Sequence, residues 1–195
     1  MQTTLPTALR DYLVRFQQTA LKETGRRPLA FLRAPMDSQL VIPGCKRPGY
    51  VFWQPVSWPE NKAPMGKHAA LFHHTIRDYL SFCQFLEIRF MLPVAPLNSP
   101  LSFLHNRVFE TYKNTESAPP AQVMEEAVFY HQGSPGFPLS FAMAATCDSG
   151  VPLLIMLRAE DGQVYIQRIS GESEPLYLKL TVDRLLPKLQ FVYDF

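Results

Sequence analysis

Between residues 139 and 169, three apolar runs (139–146, 151–158 and 163–169) follow one another with only Asp148-Ser149-Gly150 and Glu160-Asp161-Gly162 at the breaks. Parallel neighbours need a crossover of a dozen or more residues, so gaps this short leave only an antiparallel meander. Asp-Gly is also the dipeptide that tight hairpins favour, because glycine takes positive φ without strain. This stretch commits the chain to a sheet, and the other elements must cover its apolar face.

The opposite end reads with helical period. Leu9, Tyr12, Leu13, Phe16 and Ala20 recur at three and four residues, with Arg10, Asp11, Arg15, Gln17 and Gln18 opposite. Pro6 suits a first helical turn and Gly25 a left-handed cap, so residues 6–24 are expected to form a helix lying on the sheet. Strands are expected at 39–42 and at 50–54, the second closed by Pro55, which cannot donate to a ladder. Residues 56–66, with Pro59, Pro64 and Trp58, read as loop. Ala69, Phe72, Ile76, Tyr79, Leu80, Cys83 and Leu86 then predict the strongest helix of the chain, with Leu71, Phe82 and Phe85 making its other side partly apolar.

Residues 88–137 are the least legible. Segments 89–92 and 101–104 are candidate strands, and Pro119-Pro120 opens a helix with Val123, Ala127 and Tyr130 on one face and Gly133 as its cap. Thr181 is a candidate N-cap for a last helix carrying Leu185, Leu186 and Leu189, shortened or kinked by Pro187. The expectation is an α+β fold formed by residues 1–195 as one domain. It would have a single twisted, mainly antiparallel sheet packed against N-terminal and central helices. Trp53's strand and the Asp161 hairpin are expected to share that sheet.

Of 195 residues, 47% are hydrophobic and 12% aromatic, enough for a real core and contrary to disorder. A net charge of +2 is too mild for a nucleic-acid footprint. Basic residues gather at Arg26-Arg27, Arg33 and Lys46-Arg47, which reads as a solvated loop rim rather than a phosphate patch. Cys45, Cys83 and Cys147, odd in number and widely spaced, give neither a disulfide framework nor a zinc site. No apolar run reaches the ~18 residues of a membrane span and no signal pattern opens the chain, so a reduced, cytosolic protein is expected.

The groups that could carry chemistry are sparse. No glycine-rich phosphate loop exists, and Gly133-Ser134-Pro135-Gly136 has the wrong spacing for a nucleophile elbow. His73, His74 and Asp78 could share one helical face as metal ligands, but no further ligand accompanies them, and His68, His105 and His131 stand apart. Glu125-Glu126 and the Glu172, Glu174 pair sit in polar settings, whereas acid–base work needs one carboxylate desolvated. No catalytic residue, cofactor or metal is therefore expected. Trp53 reads first as a core residue of its strand, while Trp58, in a proline-rich loop, is a candidate anchor for a partner.

Several of these segments, taken in order, resemble a known family. They are Ala8-Leu9-Arg10-Asp11-Tyr12 with Arg15-Phe16, then Pro28-Leu29, then Val51-Phe52-Trp53-Gln54-Pro55. Next come His74-Thr75-Ile76 with Tyr79 and Gln84-Phe85, and finally Ile169-Ser170-Gly171-Glu172 after the meander. The chain resembles the Syd family, the SecY-interacting proteins, within the broader SUKH superfamily, which includes toxin immunity proteins. The Trp-Gln-Pro segment is the most specific element, and residues 88–137 lie outside the resemblance. It implies a binding module peripheral to the cytoplasmic side of the inner membrane, docked on cytosolic loops of SecY, with a role in monitoring translocon assembly. Trp53, Gln54, Trp58, Glu60 and Asp78 are the expected partner-binding residues, with Asp37 a further acidic contributor. The alternative is an immunity-type protein that binds and neutralises a toxin. Neither reading calls for nucleic acid, and membrane contact would come only through the partner.

Overall fold

The computed structural model describes residues 5–31, 38–58, 65–93, 101–111, 118–134, 136–169 and 174–193. The first helix, α1 (Leu5–Thr24), buries Leu5, Ala8, Leu9, Tyr12, Leu13, Phe16 and Ala20, the stripe expected from its period. Gly25 ends it at φ +66, its N–H donating to the Leu21 carbonyl at 2.9 Å.

Next come β1 (Leu29–Phe31), β2 (Val41–Ile42) and β3 (Tyr50–Trp53), which form a small antiparallel sheet in the order β1-β3-β2. The chain continues through α2 (His74–Ser81), β4 (Arg89–Met91), β5 (Val108–Thr111) and α3 (Pro120–Gly133). It ends with β6 (Ser140–Thr146), β7 (Leu153–Arg158), β8 (Gln163–Arg168), β9 (Leu176–Thr181), α4 (Val182–Leu185) and β10 (Gln190–Phe191). A strongly curled seven-stranded antiparallel sheet runs β10-β4-β5-β6-β7-β8-β9. The fold is α+β, and the meander of residues 139–169 is its middle.

One expectation fails: Trp53's strand and the Asp161 hairpin lie in different sheets. The cause is local. β3 pairs with β1 on one side and β2 on the other, and past Trp53 the Gln54 N–H donates to Leu40 at 3.0 Å before Pro55 stops the ladder. No edge of β3 is left for the main sheet. Side chains unite the two sheets instead. Phe16 stacks on Trp53 (5.7 Å between centroids) and meets Phe191 of β10 edge-on at 5.1 Å, so one hydrophobic cluster spans both.

The helix expected across 69–86 is also corrected. A 3-10 turn at Ala69–Leu71 precedes α2, and after Ser81 the chain extends so that Gln84 and Val56 exchange backbone bonds at 2.7 and 2.9 Å. Tertiary bonds win over local period here. The His73 N–H is taken by the Ala159 carbonyl (2.6 Å), and the His73 side chain caps α2 by accepting from the Thr75 N–H. Residues 101–104 are not a strand either, since Ser102–Leu104 is a 3-10 turn. Thr181 ends β9 and makes no side-chain cap bond, and Pro187 lies in a 3-10 turn, Leu186–Lys188, that follows the four-residue α4.

Two charged clamps fix the turns of the meander. Arg107 grips Asp148 through Nε (2.9 and 2.7 Å) and donates to the Val151 carbonyl at 2.7 Å, while Asp148 accepts from the Val108 and Gly150 N–H groups. Arg158 holds Asp161 at 2.8 Å, and Asp161 in turn accepts from the Gln163 N–H. Along β7, Leu153, Ile155 and Leu157 are buried in the core, and Leu154, Met156 and Arg158 point to the other face.

Candidate functional site

Several of the groups nominated for chemistry have structural partners. His73 Nδ1 lies 2.9 Å from Thr75 Oγ1, and the His73 and His74 rings are 4.1 Å apart. Burial first, and then the neighbouring His74, push the His73 imidazole below its ordinary value. Asp78 sits half-buried further along α2, and among the described residues no three His, Cys, Asp or Glu side chains gather to hold a metal. On α3, Glu125 pairs with Lys67 at 3.2 Å in an exposed setting, and Glu126 accepts from Gln122 at 3.1 Å. Glu174 is exposed, and Glu172 lies outside the described residues. Ser134 is simply the residue capping α3.

Of the expected partner-binding residues, Trp53 and Trp58 lie in the core. Trp53 is 0% exposed and Trp58 is 9% exposed, with the Trp58 indole N–H donating to the Leu80 carbonyl at 3.0 Å. The packing surface of α1 and the end of α2 claims both rings. Gln54 is exposed beside them, while Glu60 and Asp37 lie outside the described residues. The structure therefore does not assemble Trp53, Gln54, Trp58 and Asp78 into one exposed face.

A different feature emerges between α3 and the outward face of the meander. The helix buries Val123, Met124 and Val128, which leaves Phe129 and Tyr130 at 72% and 66% exposure, with their rings edge to face at 5.9 Å. Beside them lies an open groove, walled by Ala127, Tyr130 and His131 and floored by Met156, Tyr165 and Gln167. Ile169, 57% exposed, stands at its rim. The floor follows from strand register: Met156 lies opposite Tyr165, and Tyr165 opposite Tyr177. Arg158 covers the Tyr177 ring at 5.0 Å.

Two polar groups of this groove are bonded to one another and to the backbone. The Tyr165 hydroxyl donates to Ser140 Oγ at 2.7 Å, and Ser140 donates onward to the Pro138 carbonyl at 2.9 Å. The serine proton is thus held by a backbone oxygen instead of a base, and burial raises the Tyr165 phenol above its ordinary value. His131 Nδ1 is buried in the wall without a hydrogen-bond partner among the described residues. Sequence reading placed Tyr130 on the buried face of this helix. What marked the surface was the adjacent pair Phe129-Tyr130, since both cannot face inward on one helix.

Compared with known proteins, no family model matches the chain and no curated protein is significantly similar to it. Among the described residues no helix is long and apolar enough to cross a membrane.

Proposed function

We propose that the protein works by holding another polypeptide in the groove between α3 and the meander, without a reaction of its own. The observation that carries this is the exposed Phe129–Tyr130 pair beside a groove lined by Met156, Gln167 and Ile169. Large aromatic surface of this kind is the usual anchor of an interface. The resemblance of Val51–Pro55 and the flanking segments to the Syd family supports SecY cytosolic loops as the partner, and a place on the cytoplasmic side of the inner membrane through that partner.

The test is retention of SecY cytosolic-loop peptides on immobilised protein at low salt. Retention is expected, and a Phe129→Ala/Tyr130→Ala double variant should weaken it by about tenfold or more. No retention by the unaltered protein would reject SecY and leave a toxin-type partner, the immunity reading, as the one to test. Retention unaffected by the double variant would reject the groove.

A further inference from the structure

The end of α1, β1 and the loop entering β3 enclose a cleft with a cationic rim. Arg26, Arg27 and Arg47 line a hollow, and Lys46 joins Arg26 and Arg47 along an adjoining one. Several arginines elsewhere are tied down: Arg89 to Glu87 and Glu110, Arg107 to Asp148, Arg158 to Asp161, and Arg15 to the Leu186 carbonyl. Arg26, Arg27, Lys46 and Arg47 form no ion pair among the described residues. Four cations side by side repel one another, so their clustering is costly unless an anion relieves it.

The cleft is also ordered. The Arg47 guanidinium stacks on Tyr50 at 4.0 Å, a contact that fixes its plane and leaves its N–H edge free for a carboxylate. Tyr50 is in turn braced edge-on by Phe31 at 5.5 Å. Glu87, an acid in the lining, is neutralised by Arg89 at 2.8 Å. The C-terminal end of α1 contributes roughly half a negative charge, small against the four cations. Below the rim, Leu29 and Val192 provide apolar floor.

We infer that this cleft docks an acidic segment of a protein partner, its carboxylates on Arg26, Arg27, Lys46 and Arg47 and an apolar side chain on Leu29 and Val192. Charge complementarity selects the sign, and the apolar floor selects a peptide over a bare phosphate. A net charge of +2 with four cations in one cleft does not make the extended track that nucleic acid needs. A lipid surface would call for protruding apolar groups instead of a hollow. The site shares no lining residue with the groove beside α3, so it stands or falls separately.

The experiment is fluorescence anisotropy with the full chain at low salt, using a fluorescein-labelled peptide of mixed Glu and Asp with one central Phe. Saturable binding is expected, weakening with salt and falling about tenfold or more in Arg26→Ala/Arg47→Ala. The exposed single reversal Arg27→Glu should give a comparable loss without touching the Arg47–Tyr50 stack. Arg10→Ala/Arg184→Ala, at exposed positions outside the cleft, and Phe129→Ala/Tyr130→Ala should bind normally. The peptide should also slow iodoacetamide alkylation of Cys45, which lines the cleft, and not of Cys147. The inference is overturned by no binding to the unaltered protein, or by equal binding in Arg27→Glu. Displacement of the peptide by inorganic phosphate as effective as by unlabelled peptide, or capture of phosphatidylserine vesicles in place of the peptide, would overturn it too.

Discussion

Gly162 packs so closely against Thr75 that a Cβ at position 162 would overlap the threonine Oγ1 and stand 3.0 Å from His73 Nδ1. The hairpin between β7 and β8 is thereby seated on the start of α2, and glycine is required twice, for φ +69 and for the close approach. Gly162→Ala should cost about 3 kcal/mol, the left-handed strain plus the overlap. In a Thr75→Ala background the overlap disappears, and the same substitution should cost only about 1 kcal/mol. Urea denaturation of the four proteins in the cycle checks this, and additivity would show that the two residues do not bear on each other.

Stability should also depend on pH in two stages. Burial and His74 hold His73 below its ordinary value, with Arg77 acting in the same sense and Asp161 and Asp78 opposing. A group whose folded value is depressed keeps its stabilisation above its unfolded value and loses it as pH falls through the folded one. The melting temperature should therefore begin to decline below about pH 6.5. The bonds from Arg107 and Arg158 hold Asp148 and Asp161 below the usual carboxylate range, so a second decline is expected below about pH 4. His73→Asn keeps a cap acceptor and should abolish the first stage while leaving the second. Thermal melts followed by circular dichroism from neutral to acid pH read both stages, and superimposable curves for the two proteins would refute the assignment.

The two buried tryptophans should respond in reverse order to their burial. Trp53 is the more buried, yet its Nε1 has no hydrogen-bond partner among the described residues, so Trp53→Phe also removes an unmet donor. A cost below about 1.5 kcal/mol is expected, against about 4 kcal/mol for Trp53→Ala. At position 58 the indole N–H serves the Leu80 carbonyl, so Trp58→Phe strands a buried acceptor and should cost about 2 kcal/mol. Chemical denaturation ranks the two phenylalanine variants, and a costlier exchange at 53 would contradict the hydrogen-bond argument.

The legible parts of the sequence were those in which local pattern and tertiary demand agree. α1 could be read because Leu9, Tyr12, Leu13, Phe16 and Ala20 form one stripe with a glycine stop behind it. The meander could be read because its turns are too short for any other connection. Reading failed where distant bonds decide. The break before α2 depends on Ala159, and the extended chain after it depends on Val56, neither visible from the spacing of 69–86. β9 gave no strand signal, since it bends through Lys179 at φ +55 and its register against β8 shifts. The cationic rim was visible in the sequence as a basic loop. What spacing could not supply was its closure into a cleft by Tyr193 and Val192, which come from the far end of the chain.

The extended segment after α2 also determines how the thiols react. Cys83 is buried beside the Gln84–Val56 bridge, and burial pushes its thiol up to about 12. At pH 8 only about one molecule in ten thousand would then carry the reactive thiolate. Cys147 is exposed and Cys45 half-exposed, so brief iodoacetamide treatment of the native protein should modify those two and spare Cys83, with all three modified in guanidinium. Mass spectrometry of the digested protein distinguishes the sites. Loss of protection at Cys83 in Val56→Pro, which removes the N–H bonded to Gln84, would trace the shielding to that bridge. Rapid labelling of Cys83 in the unaltered protein would instead mean that the segment from Phe82 to Leu86 opens readily, and that the core is not sealed on the side where α2 ends.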